Sequence, residues 1–120
     1  MAGEVSFIEI GVGDTDAGRK FYEGMFGWKF AEGPGGGGFM IETPNVPAGM
    51  HGSDAGADPI IFFAVDDING AEAKIKELGG EVLDVNVEGD EESVAAFGSF
   101  RMCKDDQGSP FGIHQKPADS

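Results

Sequence analysis

The sequence has 120 residues, enough for one domain with a modest core and too few for two independent domains. Its formal net charge is −14, from 22 acidic and 8 basic residues. A surface this negative repels phosphate groups, which excludes nucleic acid as a partner and disfavours anionic membrane surfaces. No apolar run approaches the roughly 20 residues that a membrane-spanning helix needs. We therefore expect neither a nucleic-acid nor a membrane partner.

The single cysteine, Cys103, has no partner for an internal disulfide, which is typical of a reducing compartment. The sequence Met1-Ala2-Gly3-Glu4 is acidic and unlike the start of a secretory signal. Together these features predict a cytoplasmic protein.

The first elements are a strand and a helix. Residues 5–12 alternate between apolar and polar side chains, which predicts a strand, and residues 13–16 break it and supply a helix N-cap. From Ala17 to Phe26 apolar residues recur at helical spacing, and Gly27 follows as a C-cap. We expect the large apolar side chains of this helix to pack on the sheet: Phe21, Tyr22, Met25 and Phe26.

Two short strands, at 28–30 and 39–42, complete the first half of the chain, and the glycine-rich stretch 33–38 between them is a turn. Residues 43–59, rich in proline and glycine, are predicted to be a linker. His51 lies in this linker and is expected to be a loop residue.

The second half repeats the pattern, with a strand at 60–65, a helix at 71–78 and a strand at 81–83. Residues 7 and 60 are 53 positions apart, and at this offset four pairs align without a gap: Val12 with Val65, Tyr22 with Ile75, Met25 with Leu78, and Gly27 with Gly80. Near the ends of the halves, 39–42 matches 111–114 at an offset of 72, with an insertion around Asn86 to Ser93. The pattern indicates a duplication. A chance likeness of two strand–helix units and a ferredoxin-like fold are the alternatives.

We therefore predict one domain over 1–120, with module one at about 5–43, a linker at about 44–59 and module two at about 60–116. The motifs found so far resemble those of the vicinal oxygen chelate superfamily, which includes glyoxalases, bleomycin resistance proteins and extradiol dioxygenases. The resemblance rests on six segments: Phe7-Ile8-Glu9-Ile10 with Asp14, Phe21-Tyr22, Phe26-Gly27-Trp28, Phe63-Ala64-Val65-Asp66-Asp67-Ile68, Leu78-Gly79-Gly80, and Lys104-Asp105-Asp106-Gln107-Gly108 before Phe111-Gly112-Ile113.

The resemblance implies an α+β fold in which two βαβββ modules form a curved, mixed or antiparallel sheet around a cavity, with the helices on the convex face. It also implies a small-molecule ligand and a homodimer. Metal-dependent members place a His, Gln or Glu ligand on each of four strands. The motif places these four positions at residues that are poor ligands: Phe7, Met40 or Ile41, Ile60, and Gly112. We therefore expect no metal cofactor.

Strand alternation offers a displaced site, because Glu9, Glu42 and His114 each lie two residues beyond a vacated position. Two carboxylates and an imidazole could bind a metal or act as general acid and base, and they could equally orient a polar ligand. The rest of the predicted concave face is apolar. The predicted pocket thus contains Phe7, Glu9, Met40, Glu42, Phe62, Phe100, Met102 and His114.

Three functions follow from these residues. The favoured one is a metal-independent small-molecule binding protein with an apolar pocket. The alternative is a metal-dependent lyase or isomerase of the glyoxalase type, or a dioxygenase, at Glu9, Glu42 and His114. The dioxygenase is less favoured, since that chemistry needs two histidines and only His114 is in place. The third function is an interaction module whose pocket has collapsed, and whether the chain is an enzyme is left open.

Overall fold

The computed structural model describes residues 3–33, 38–83 and 91–117. The described chain forms eight strands and three helices: β1 Val5–Gly11, α1 Thr15–Phe26, β2 Lys29–Glu32, β3 Gly38–Glu42, β4 Ala48–His51, β5 Ile60–Ala64, α2 Ile68–Glu77, β6 Glu81–Val82, α3 Glu91–Phe97, β7 Ser99–Lys104 and β8 Pro110–Gln115. Parallel and antiparallel strand pairs both occur, so the predicted mixed α+β class is confirmed. None of the described helices is long and apolar enough to cross a bilayer.

The chain divides into two compact units. The first unit is Phe7–Ile60, and the second joins the residues before Phe7 to those from Ile61 onwards. Most of the glycine-rich turn and of the predicted insertion lies outside the described residues.

The first unit contains a four-stranded sheet in the order β2-β3-β4-β1. β1 and β4 are parallel, with Glu9 opposite Gly49, whereas β3 is antiparallel to both β2 and β4. One face of this sheet carries the hydrophobic core, which consists of Ile10, Ile41, Ala48 and Met50 with flanking side chains that include Tyr22 of α1. Alternation along the strands therefore places every second residue on a face without this helix.

Helix α1 begins and ends as its capping residues predict. Asp14 is the N-cap and its carboxylate accepts a hydrogen bond from the backbone N–H of Asp16, while Gly27 ends the helix with a left-handed φ of 72°. The prediction that its large apolar residues form core is wrong for three of them. Phe21, Met25 and Phe26 are 64%, 64% and 54% exposed, because only the Tyr22 side of the helix packs on the core.

The second unit has the strand order β5-β8-β7-β6, and β5 and β8 are parallel with Phe62 opposite Gly112. Helix α2 covers one face of this sheet. The core there consists of Ile68, Cys103 and Ile113, with Ala71 and Ile75 of the helix packed against it. The second unit thus resembles the first in having one helix packed on the core face of its sheet. On the opposite face the backbone oxygen of Phe97, the last residue of α3, contacts His114.

Strand β4 lies within the stretch predicted to be a linker. Its sequence Ala48-Gly49-Met50-His51 shows no strand-like alternation of β-branched residues, and it is held instead by pairing with β1 on one side and β3 on the other. The strand also corrects the internal alignment. Because β1–β4 and β5–β8 are the parallel pairs, β8 is equivalent to β4 and not to β3 as the offset of 72 implied.

Helix α3 was not predicted. It lies between β6 and β7, partly inside the predicted insertion, and ends at Phe97. Gly98, which follows it, has a positive φ of 93°. A side chain at residue 98 would collide with the backbone oxygen of Gln115, so glycine is required there.

Candidate functional site

In the first unit, the predicted pocket residues share the helix-free face of the sheet. Glu9 is opposite Gly49, and Gly49 is opposite Met40, so these three positions form one row across three strands. Phe7 and Glu42 lie two residues away from this row on their own strands and therefore point the same way. A Cβ atom on Gly49 would approach both Glu9 and Phe7, which confirms that these two side chains lie on this face.

The second unit repeats this arrangement with the remaining four predicted residues. Phe100 is opposite His114 and Met102 is opposite Gly112, the position that also faces Phe62. The rings of Phe62 and Phe100 meet edge to face with centroids 5.3 Å apart, and Phe100 stacks on His114 at 4.3 Å. These residues form an aromatic layer on the face opposite α2.

Burial divides the eight predicted residues into two groups. Phe7, Phe62 and His114 are buried within the chain, so their side chains offer almost no surface for contact with a ligand. The others are wholly or partly accessible: Glu9, Met40, Glu42, Phe100 and Met102. All eight therefore lie on the sheet faces opposite α1 and α2, as alternation predicts, but only the second group is exposed or partly exposed.

Both ring nitrogens of His114 form hydrogen bonds within the chain. Its Nδ1 lies 2.9 Å from Ser6 Oγ and its Nε2 lies 2.7 Å from the backbone oxygen of Phe97. A carbonyl only accepts, so Nε2 carries the proton and Nδ1 accepts from the serine hydroxyl. Burial lowers the pKa of His114, which favours this neutral form. Both ring nitrogens are thus occupied by the chain.

A second histidine, His51, forms a cluster with two carboxylates in the first unit. Its Nδ1 is 2.6 Å from Glu9 Oε2 and its Nε2 is 2.7 Å from Asp54 Oδ2. When both carboxylates are ionised they only accept hydrogen bonds, so in that state both ring nitrogens donate and the imidazole carries both protons. Asp54 is itself fixed by a bond from its backbone N–H to the oxygen of Val12. We call these three residues the Glu9–His51–Asp54 cluster.

The electrostatics of the cluster favour bound protons. Burial alone would lower the pKa of His51, but its hydrogen bonds to Glu9 and Asp54 outweigh this effect and raise the pKa above the ordinary 6.5. Burial also raises the pKa of Glu9 above 4.5, against the opposing influence of His51. Both groups therefore keep their protons to a higher pH than the free side chains do.

Two glycines make room for the cluster. A Cβ on Gly11 would lie 2.6 Å from Asp54 Oδ2 and 2.8 Å from His51 Nε2, and one on Gly49 would lie 2.7 Å from Glu9 Oε1. The sequence pattern predicts Glu9 as a site residue but not His51 and Asp54, because both fall within the predicted linker. The internal repeat does indicate His51. In the first unit His51 is opposite Gly11, in the second unit His114 is opposite Ala64, and these two pairs occupy equivalent positions.

Beside this face the first unit has a groove with a volume of about 380 Å³. Apolar side chains form much of its wall, and Lys29, Glu42, Thr43 and Asn45 supply polar groups. The lining residues are Lys29, Phe30, Ala31, Met40, Ile41, Glu42, Thr43, Asn45 and Pro47. The groove thus contains two of the predicted pocket residues, Met40 and Glu42, and lies within the size range of small-molecule sites.

A family model for the glyoxalase/bleomycin resistance protein/dioxygenase superfamily matches residues 4–113. The chain belongs to this superfamily. A curated relative, "Putative glyoxylase CFP32" of Mycobacterium bovis and Mycobacterium tuberculosis, is 30% identical over 92 residues. That match covers 68% of this chain and 35% of the relative, so the chain spans about a third of the relative's length.

Solved structures share the superfamily fold at low sequence identity. A hypothetical protein, BH1468 from Bacillus halodurans C-125, superposes with a TM-score of 0.69 at 16% identity, covering 98% of this chain and 97% of that one. A methylmalonyl-CoA epimerase in complex with methylmalonyl-CoA and NH4+ gives 0.66 at 18% identity, with coverage of 98% and 97%. These similarities show the fold of the chain.

The superfamily's metal positions on the closing strands, β4 and β8, do not fit a metal in this chain. The register corrects the first of them: Gly49 on β4 is the equivalent of Gly112 on β8, so neither Met40 nor Ile41 occupies that position. Both closing-strand positions are glycines, which have no ligand atom in a side chain. Neighbouring side chains fill the space that a ligand side chain would need, namely Glu9 and Phe7 over Gly49 and the Phe62 ring over Gly112.

The residues of the predicted displaced site make other contacts. Within the described residues, no group of three or more His, Cys, Asp and Glu side chains is arranged to hold a metal ion. His114 bonds to Ser6 and Phe97, and Glu9 bonds to His51, so each has a partner other than the predicted one. Glu42 lines the groove and is exposed.

Proposed function

We propose that this superfamily member binds a small, largely apolar molecule without a metal ion. The groove on the first unit carries this proposal. Its volume of about 380 Å³ suits a ligand of one or two rings, and its wall combines Phe30, Met40, Ile41 and Pro47 with a few polar groups. Such a wall gains affinity from apolar burial and fixes orientation through hydrogen bonds.

Charge narrows the class of ligand. With 22 acidic and 8 basic residues, the chain repels anions, and the groove has one basic side chain, Lys29, whose strand position is opposite that of Glu42. An acyl-CoA, which is the ligand seen in the epimerase, carries several phosphate charges. We therefore favour an uncharged or cationic ligand for this chain.

The metal-dependent lyase or isomerase is the competing proposal, and the name of the CFP32 relative favours it. The glycines at the closing-strand positions and the separate partners of Glu9 and His114 argue against it. A homodimer and a cytoplasmic location remain predictions from the sequence. Light scattering on the purified protein tests the first.

The binding test uses the protein's methionines as reporters. We would label the methionine ε-methyl groups with ¹³C and titrate 4-phenylbutanol, an uncharged apolar probe, into metal-free protein. Met40 lines the groove, whereas Met50 is in the core and Met25 is exposed on α1. We expect the Met40 resonance to move with saturation while those of Met50 and Met25 stay constant.

A blocked groove supplies the matched control. Ala31 lines the groove, and Ala31→Phe would fill part of it, so this variant should lose the Met40 shift while Met50 keeps its position. Binding that appears only after adding Ni²⁺, Zn²⁺ or Mn²⁺ would overturn the metal-free proposal and support the lyase or isomerase. An unmoved Met40 with and without metal would refute small-molecule binding in this groove.

A further inference from the structure

The Glu9–His51–Asp54 cluster is not part of the groove wall, and no ligand position of the superfamily motif falls on its three residues. Glu9 reaches it from β1, His51 from β4 and Asp54 from the loop after β4. All three lie in the first unit. The cluster is thus a set of titratable groups near the groove whose role the proposed function leaves open.

The cluster offers a ligand carboxylate acceptors and no donor, because His51 uses neither Glu9 Oε1 nor Asp54 Oδ1. The protonated His51 ring donates both of its N–H groups to the two carboxylates, so it has no donor left for a ligand. Glu9 spends only Oε2 on His51. Within the described residues Oε1 has no hydrogen-bond partner, and no fully buried side-chain oxygen or nitrogen lacks one, so Oε1 is at least partly accessible.

Glu9 Oε1 occupies the space beside Gly49, which has no side chain. Oε1 lies 2.7 Å from the point where a Cβ on Gly49 would be, which is the row position between Glu9 and Met40. Neighbouring strands are about 4.8 Å apart, so Met40 on β3 is roughly 10 Å from the β1 backbone. A molecule whose ring lies beside Met40 in the groove needs only a short chain to reach the carboxylate.

We propose that Glu9 Oε1, fixed by His51 and Asp54, binds the cationic nitrogen of a small apolar amine whose body lies in the groove. An ammonium group supplies the donors that this acceptor needs, and its charge is attracted by the strongly acidic chain. Because the carboxylate is already held by His51, binding costs little side-chain entropy. This inference rests on the proposed function, since the groove holds the apolar part of the ligand.

The test compares three probes of the same shape on the full-length chain: 4-phenylbutylamine, 4-phenylbutanol and 4-phenylbutyrate. The Met40 methyl shift gives the dissociation constant of each. A charge-assisted hydrogen bond corresponds to roughly ten- to a hundredfold in affinity, so we expect the amine to bind at least tenfold more tightly than the alcohol. We expect the carboxylate to bind more weakly than the alcohol.

Two variants separate the local contact from the general charge of the chain. Glu9→Gln should abolish the advantage of the amine over the alcohol, and a Met40 shift that still saturates with the alcohol shows that the groove is intact. Glu32→Gln removes the same charge from an exposed position opposite Phe39, on the other face of the sheet, and should keep the advantage. Gly49→Ala changes no charge but displaces Oε1, and should reduce the advantage at least threefold.

The outcomes also distinguish this inference from the proposed function. Equal affinities for amine and alcohol, an advantage that survives Glu9→Gln, or one that Glu32→Gln removes equally would each overturn the amine site and leave the groove proposal standing. A Met40 resonance that none of the three probes moves would refute the groove itself.

Discussion

Replacing Gly112 with alanine tests whether the Phe62 ring fills the superfamily's closing-strand position in the second unit. A Cβ at residue 112 would lie 2.2 Å and 2.3 Å from Cδ2 and Cε2 of that ring, against the roughly 3.5–4.0 Å of a normal carbon contact. The ring would have to move by more than about 1 Å. Phe62 is only 3% exposed and packs edge to face on Phe100, so it has little space to move into.

Such overpacking costs about 1–3 kcal/mol in the free energy of unfolding. At roughly 2.1 cal/mol/K of unfolding entropy per residue, a chain of 120 residues loses about 4 °C of Tm per kcal/mol. We therefore expect Gly112→Ala to lower Tm by about 4–12 °C. Gly24→Ala is the control, because it lies in α1 with nothing near its Cβ, and it should raise Tm by a few degrees through helix propensity.

Calorimetry or circular dichroism measures both shifts, and a double-mutant cycle identifies the contact. In a Phe62→Leu background the ring atoms are gone, so Gly112→Ala should cost much less than in the original chain. A Gly112→Ala protein as stable as the parent, or an equal cost in both backgrounds, would refute the view that the ring occupies this position.

Three further expectations concern polar and titratable side chains. The NMR titration midpoint of His51 should lie above 6.5 and that of His114 below 6.5. The stability that His51 contributes is therefore complete below pH 6.5 and is lost as pH rises through its folded-state pKa. The stability that His114 contributes is complete above pH 6.5 and is lost as pH falls through its folded-state pKa. Midpoints in the reverse order would contradict both environments. Ser6→Ala leaves His114 Nδ1 without its donor and should cost about 1–3 kcal/mol in urea unfolding; a loss below about 0.5 kcal/mol would mean that the bond is absent. Burial and the nearby Glu72 charge raise the pKa of Cys103 to about 11. A thiol reagent at pH 8 should therefore react with Cys103 only as fast as the protein unfolds. Reaction at the rate of a free thiol would show that the core opens locally.

The sequence predicted the elements whose pattern is local. β1 alternates regularly, and α1 has both of its capping residues, so both were found within about two residues of their observed ends. β4 was missed because four residues with weak strand propensity are held by pairing on both sides, a long-range effect that no local pattern contains.

The candidate site shows the same difference between local patterns, which the sequence contains, and long-range pairing, which it does not. Alternation placed Glu9 and Met40 correctly on one face, since a period of two needs only the strand direction. The pattern predicts a loop at His51 because it does not predict the strand, and the hydrogen-bond partner of Glu9 is therefore missing from the predicted site. The helix α1 residues were misjudged for a related reason, because an apolar stripe indicates a buried face without showing how wide that face is.

The exposed stripe on α1 has a consequence for the protein in solution. Phe21, Met25 and Phe26 expose apolar surface that attracts other copies at short range, and the net charge of −14 opposes this attraction at longer range. Salt weakens only the second force, since the screening length falls from about 10 Å at 0.1 M to about 3 Å at 1 M. Colloidal stability of this protein therefore depends on ionic strength, and dilute buffers keep its molecules apart.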